Sequence, residues 1–293
     1  MQSRFSNLVV CATLLSLHLF CANSLKAAPS QFESQISETK SAEPKSVISL
    51  IAPPADTATL RDLGQHALRV PENLLFDIVW GGWSFRWVHA GRATLELNAT
   101  SNPKLWTIRS TAWCNGFFQS FYPVRDTVTS WIHAKGVYPL RFEQILNEGS
   151  YHFKAKAVFD QEKHRLTTQD TTLNIAPFTH DVLSAFYFIR TQKLTPGTEF
   201  ELAAVSGKKA YRLRVLCHRR ERVTVPAGEF QTLVVEPILK GDGLFKAKGS
   251  LLIWVTDEPR HLPVKMQSKI PVGSIKAELV RLPQHTLPAI SPK

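Results

Sequence analysis

From Asn73 to about residue 283 the chain is written in short alternating runs of apolar and polar residues, separated by frequent turn signals. A period of two sends successive side chains to opposite faces of an extended strand, so this pattern calls for antiparallel β-structure. YHFKAKAVFD shows it plainly: Tyr151, Phe153, Ala155, Ala157 and Phe159 share one face, and His152, Lys154 and Lys156 share the other. The runs Leu74 to Trp80, Arg86 to Ala99, LWTIRSTAWC, VRDTVTSWIH and VYPLRFEQIL precede it, and RLTTQDTT follows the turn DQEKH. After one helical interruption come TEFELAAV, AYRLRVLCHRRERVTV, FQTLVVEPIL, KAKGSLLIWVT, HLPVKMQSKI and GSIKAELVRL. That makes on the order of a dozen strands with no repeat period. A meander of this length cannot stay flat, because strand twist curls it. The expected fold is therefore all-β, a curved half-barrel or closed barrel.

The interruption is THDVLSAFYFIRTQKLTPG, residues 179–197. Val182, Ala185, Phe186 and Ile189 recur at helical spacing, with Leu183 and Phe188 widening the apolar stripe. Asp181 is placed to cap the first turn, Arg190 and Lys193 suit the negative end, and Pro196-Gly197 stops the run. A helix over 179–194 is expected, packed on the concave face or across one mouth of the sheet, with Phe186 and Ile189 turned inward. His180, Asp181 and Ser184 also raise a hydrolase reading, since a serine nucleophile needs a base oriented by a third group. Capping and packing account for the same residues without catalysis.

Residues 1–28 have the layout of a secretory signal: Arg4, an apolar run from Leu8 to Phe20, then small residues. The run is shorter than the roughly 20 residues of a spanning helix, so cleavage and a periplasmic or otherwise exported product are expected. Phe20 before Cys21 argues against lipoprotein attachment there. Residues 29–72, rich in Ser, Ala, Pro and Glu, read as a flexible low-complexity lead with room for a short helix around TATLRDLGQHAL. A single β domain over 73–283 and a disordered tail over 284–293 complete the expected organisation.

Of four cysteines, Cys11 and Cys21 lie in the signal, leaving Cys114 and Cys217. An oxidising compartment allows them one bridge; two buried thiols is the alternative. No CxxC, HxH or HExxH accompanies them and no phosphate-cradling glycine loop is present, so neither metal nor cofactor is expected. The net charge is +11. The first 75 residues hold six bases and six acids and cancel, so the whole excess falls on the β domain. For an exported protein such a field favours lipid head groups, lipopolysaccharide, anionic glycans or a membrane surface rather than nucleic acid.

Three further groups are candidates for ligand contact. In WGGWSFRWVHAG, Trp83 and Trp87 share a face with Phe85, and Arg86 stands on the other; such rings stack on sugars, receive acyl chains or fill a core. Along AYRLRVLCHRRERVTV, Arg212, Arg214, His218, Arg220 and Arg222 project to one side. This ladder can grip phosphate or carboxylate, or it can be a solvated face balanced by Glu201 and other acids on a neighbouring strand. Asp126 beside Arg125 is either an ion pair or a ligand contact.

The stretches HDVLSAFYFIR, VPAGEF with QTLVVEP, and IWVTDEPRHLPVKM with PVGSIKAEL resemble the blocks of domain-of-unknown-function family 3108. AGRATLEL and YPVRDTVTS are weaker early blocks, and the likeness covers roughly residues 74–282. It implies an exported all-β envelope protein and brings no established activity. The closing hairpin is also similar to that of the LolA and LolB lipoprotein carriers, which implies a half-barrel over an apolar hollow. The expected function is non-enzymatic binding or carriage of an amphipathic ligand with an anionic head group. Its rivals are an envelope polysaccharide-binding or assembly protein and a hydrolase. An apolar cavity on the order of several hundred Å³ under the helix would favour lipid, and exposed, coplanar Trp83 and Trp87 would favour sugar.

Overall fold

The computed structural model describes residues 63, 67–81, 87–240, 251–270 and 273–282. The expected signal peptide, most of the lead, the tail, and Trp83 and Arg86 lie outside the described residues. Among the described residues fourteen strands form one antiparallel sheet, curved and not closed. The first eight are β1 Glu72–Gly81, β2 Val88–Ala99, β3 Leu105–Cys114, β4 Arg125–His133, β5 Pro139–Glu148, β6 Tyr151–Asp160, β7 Arg165–Thr168 and β8 Thr172–Asn174. The rest are β9 Glu199–Ser206, β10 Lys209–Val225, β11 Gly228–Lys240, β12 Leu251–Thr256, β13 Pro263–Ile270 and β14 Gly273–Arg281. A short helix, α1 Gly116–Phe121, follows β3, and the main helix, α2 Val182–Arg190, joins β8 to β9.

The strand order places every strand beside its sequence neighbour, with one exception at the centre: β14 pairs with β1, Asp77 opposite Glu278. The chain thus builds outward from β1 to the edge strand β8, crosses by α2 to the other edge strand β9, and returns to close on its own first strand. Alternation decides which faces are buried. Leu74, Phe76 and Ile78 of β1, Leu95 and Leu97 of β2, Ile108 of β3 and Val128 and Ile132 of β4 are all at most 1 % exposed. Where β2 passes β3 at Gly91, only glycine fits: a Cβ there would lie 2.2 Å from the Trp113 carbonyl oxygen.

The structure differs from the sequence expectation in four places. The helix is shorter than 179–194, because His180 is extended and pairs in parallel with Ala204 of β9, its N–H donating to the Ala203 carbonyl at 2.9 Å. At the other end the Thr191 hydroxyl donates to the Phe188 carbonyl at 2.7 Å and competes with continuation of the helix. RLTTQDTT is two strands, not one, since the Thr168 N–H donates to the Thr171 carbonyl and turns the chain. The FFQSFYP connection contains α1, which no apolar period announced. Finally, the end of the lead packs: Leu68 is 4 % exposed and the Leu63 N–H donates to the Lys135 carbonyl at 3.1 Å.

Glu72 begins β1 and anchors the helix. The Arg190 guanidinium forks onto its carboxylate, with Nη1 to Oε1 at 2.7 Å and Nη2 to Oε2 at 2.9 Å. Both side chains are buried, and the Tyr187 hydroxyl and Arg260 also donate to Glu72. Burial alone would raise the Glu72 pKa, but the two arginines hold it below the usual carboxylate value.

Candidate functional site

The helix start carries the three residues that raised a hydrolase reading. Asp181 Oδ1 accepts from the Leu183 and Ser184 N–H groups at 2.8 and 2.9 Å, and Oδ2 accepts from the Ser130 hydroxyl of β4 at 2.5 Å. Burial pushes its carboxyl up to about 6 against the pull of these hydrogen bonds. The Ser184 hydroxyl sits 3.2 Å from the Asp181 carbonyl and 3.2 Å from His180 Nδ1. His180 and Ser184 have no exposed surface. Asp181 therefore caps the helix and ties it to the inner wall of the sheet.

Phe186 and Ile189 face inward as expected, and beneath them is an apolar pocket of about 70 Å³. Its far wall is Leu213 of β10, Pro237 of β11 and Leu251 and Ile253 of β12. This is well short of the several-hundred-Å³ scale of a ligand cavity, because these branched side chains fill most of the hollow.

A second opening lies at the seam where β8 and β9 fail to pair. It is a cleft of about 110 Å³ between the inner faces of β5 to β7 and the edge of β9. Phe142, Phe153, Ala155, Phe159, Leu166 and Val205 line it. Tyr151, Phe153, Ala155 and Ala157, inward residues of β6 that would be core in a closed barrel, are only half-buried here, whereas Phe159 at its far end is buried. Lys208 and Asp170 stand at the lip and meet across the seam at 3.2 Å. Val182 and Val205 line both the cleft and the pocket under the helix, so a partition of two valines separates the two spaces. Gln144 of β5, 2 % exposed, also lines the cleft, and its amide nitrogen has no protein partner. Sequence periodicity gave Gln144 no prominence, although a polar residue at an inward strand position was the available signal.

Asp126 is on the inner wall but does not line the cleft; its Oδ1 accepts from the Asn147 N–H at 2.8 Å. It acts with Glu148 on one neighbour: burial, then the Glu148 and Asp126 carboxylates, push the Tyr122 phenol up to about 12. These two acids are brought together by the β4–β5 register, which linear spacing hides.

The basic ladder belongs elsewhere. Arg212 pairs with Glu201 at 3.1 Å and Arg214 with Glu199 at 2.6 Å, on the face of β10 opposite the buried Leu213 and Val215. His218 meets Glu236, Arg220 meets Asp257 and Arg222 meets Glu229. Expected as ligand contacts, Arg212 and Arg214 instead form the solvated, charge-balanced outer face. Trp87 is 45 % exposed, but Lys276 Nζ lies 3.4 Å from its ring centroid and covers one face, as stacked sugar would have to. Of the two readings of the cysteines, the structure shows the buried thiols: Cys114 and Cys217 are both free, on strands β3 and β10 with six strands between them in the sheet order. The Cys114 thiol is engaged locally, with Gln119 Oε1 at 3.1 Å and the Val124 N–H at 3.1 Å. Among the described residues no group of three or more His, Cys, Asp or Glu is placed to hold a metal, and no helix is long and apolar enough to cross a membrane.

Fold and site together define an open antiparallel half-barrel whose interior is closed by a crossover helix and reached through a lateral seam. The chain belongs to the family described as Protein of unknown function (DUF3108), whose model matches residues 75–280. No curated protein matches it in sequence. Among solved structures it is similar to a β-barrel-like protein of domain of unknown function DUF1849 from Brucella abortus. That likeness has 12 % identity and a TM-score of 0.50, covering 73 % of this chain and 97 % of the other. A candidate lipoprotein from Parabacteroides distasonis is similar at 9 % identity and TM-score 0.32, covering 72 % and 95 % of the two chains. A candidate exported protein with a YmcC-like fold from Bacteroides fragilis is similar at 13 % identity and TM-score 0.27, covering 75 % and 96 %.

Proposed function

We propose that this protein is an exported, non-enzymatic envelope protein that binds an amphipathic, lipid-like ligand through the seam cleft. The observation that carries the reading is the cleft's composition: Phe142, Phe153, Phe159 and Leu166 line its depth, and among its charged residues Lys154, Lys156 and Lys208 outnumber Asp170 and Asp181, matching an acyl segment below a negatively charged group. At about 110 Å³ the cleft, like the pocket under the helix, is well short of the several-hundred-Å³ scale of an enclosing site, so it would receive a stretch of chain and leave the rest of the ligand outside. The head-group contact moves from the outer arginines, which stand on the face of the sheet away from the cleft, to Lys208 at its lip, where a ligand anion would take the place of Asp170. The leading segment of the sequence supports export, and the basic excess of the domain supports anionic partners.

The test is lipid extraction and native mass spectrometry of the protein purified from the envelope of its own cells, joined to displacement of a fluorescent fatty acid. Co-purifying lipid and saturable displacement are expected. A protein that carries no lipid and displaces no probe would overturn the reading.

A further inference from the structure

Gln144 is an anomaly on the inner wall of the sheet. It shares its register row with Val128 on one side and Ala155 on the other, and neither can match a carboxamide. Leaving a buried amide N–H unmatched costs free energy that an apolar side chain in the same place would not. The other buried polar group lining the cleft, Asp181, has both oxygens engaged by Ser130, Leu183 and Ser184. Gln144 borders a cleft whose walls include Phe142, Phe153 and Leu166, and its enclosed amide nitrogen reaches that space by rotation about the last side-chain bond. A donor placed inside an apolar cleft fixes the position of an acceptor on an otherwise apolar ligand.

We propose that Gln144 is the polar anchor of the seam cleft, donating its side-chain N–H to the carbonyl oxygen of an acyl ester or acyl amide. The proposal rests on the lipid-binding reading and narrows it. The ligand class becomes acyl chains joined to their head group through a neutral ester or amide carbonyl, as in esterified lipids, rather than plain hydrocarbon. A site built to match a hydrogen-bonding group discriminates against an analogue that lacks it, because its own polar group is then left unmatched.

The experiment is competition against a bound fluorescent fatty acid on the full chain, with methyl laurate and a linear alkane of matched length as competitors. For the parent protein the ester is expected to compete about tenfold better than the alkane, the size of one well-placed hydrogen bond. Gln144→Leu should bring that ratio to about one while keeping alkane competition and the melting temperature. Gln144→Glu, which at neutral pH offers only acceptors, should lower ester competition further and serves as a second variant if the leucine packs poorly. An ester-to-alkane ratio that is the same in the parent and both folded variants overturns the anchor while leaving lipid binding standing. A parent protein in which neither competitor nor the fatty acid binds overturns the lipid reading itself.

Discussion

At the residue scale Asp181 shows how capping and burial oppose each other. Helix capping needs an acceptor at this position, and the crossing of α2 onto β4 buries that acceptor completely. The folded carboxyl titrates at about 6 against an ordinary 3.8, so between those values the folded state holds a proton the unfolded chain has released. Stability contributed by this group is thus greatest below the lower value and falls as pH rises through the window, by roughly 3 kcal/mol in all. Asparagine caps helices as well as aspartate. Thermal melts of Asp181→Asn should accordingly lose the part of the parent's pH dependence that lies between about pH 4 and 6. A parental slope that survives in the variant would assign the titration to another group. The cap itself was legible in the sequence, whereas its partner Ser130 lies 51 residues away and no local pattern points to it.

At the element scale the helix is held at both ends by side chains from distant strands. Asp181 binds Ser130 at one end, and Arg190 forks onto Glu72 at the other, 118 residues apart. Sequence periodicity identified the helix and its inward face correctly, since Phe186 and Ile189 both line the pocket beneath it. It assigned Arg190 only to the helix dipole, because a helical wheel cannot show that a strand will bring a carboxylate there. Removing one member of a buried, hydrogen-bonded ion pair strands the other. Arg190→Met should therefore lower stability by about 3–5 kcal/mol in chemical denaturation at neutral pH, and adding Glu72→Leu should recover a large share of it. The helix boundaries were misplaced for a related reason: His180 gives its backbone to β9, so an interaction across the seam ends what propensity would continue. The outer ladder is the opposite case. Alternation along β10 put Arg212 and Arg214 on one face with Glu201 as a balancing acid, and the register with β9 makes the pairs diagonal: Glu201 stands opposite Arg214 and meets Arg212, and Glu199 stands opposite Leu216 and meets Arg214.

At the scale of the whole molecule, the sheet closes at its middle through β1 and β14 and stays open at its edges. One consequence concerns the thiols. Cys114 and Cys217 occupy different sides of that central closure, far apart in the strand order, and each is buried. A peptide map of the exported protein under non-reducing conditions should contain no Cys114–Cys217 linked species, and its presence would show that the two thiols meet. A second consequence is the seam. In a closed barrel β6 would be covered on both edges of its inner face; here β7 and β8 are short and leave it half-exposed, which creates the cleft.

The amino-acid sequence by itself determined the all-β class, the single inward-facing helix and its cap, and which residues share each strand face. These follow from periods of two and 3.6, which are properties of neighbouring residues. Only the tertiary structure decided that the two edge strands would not meet, that the arginine ladder would face its own acids, and that Gln144 would border an apolar cleft. Those outcomes depend on which strands become neighbours, and pairing between distant segments is set by the packing of the whole sheet rather than by any local pattern.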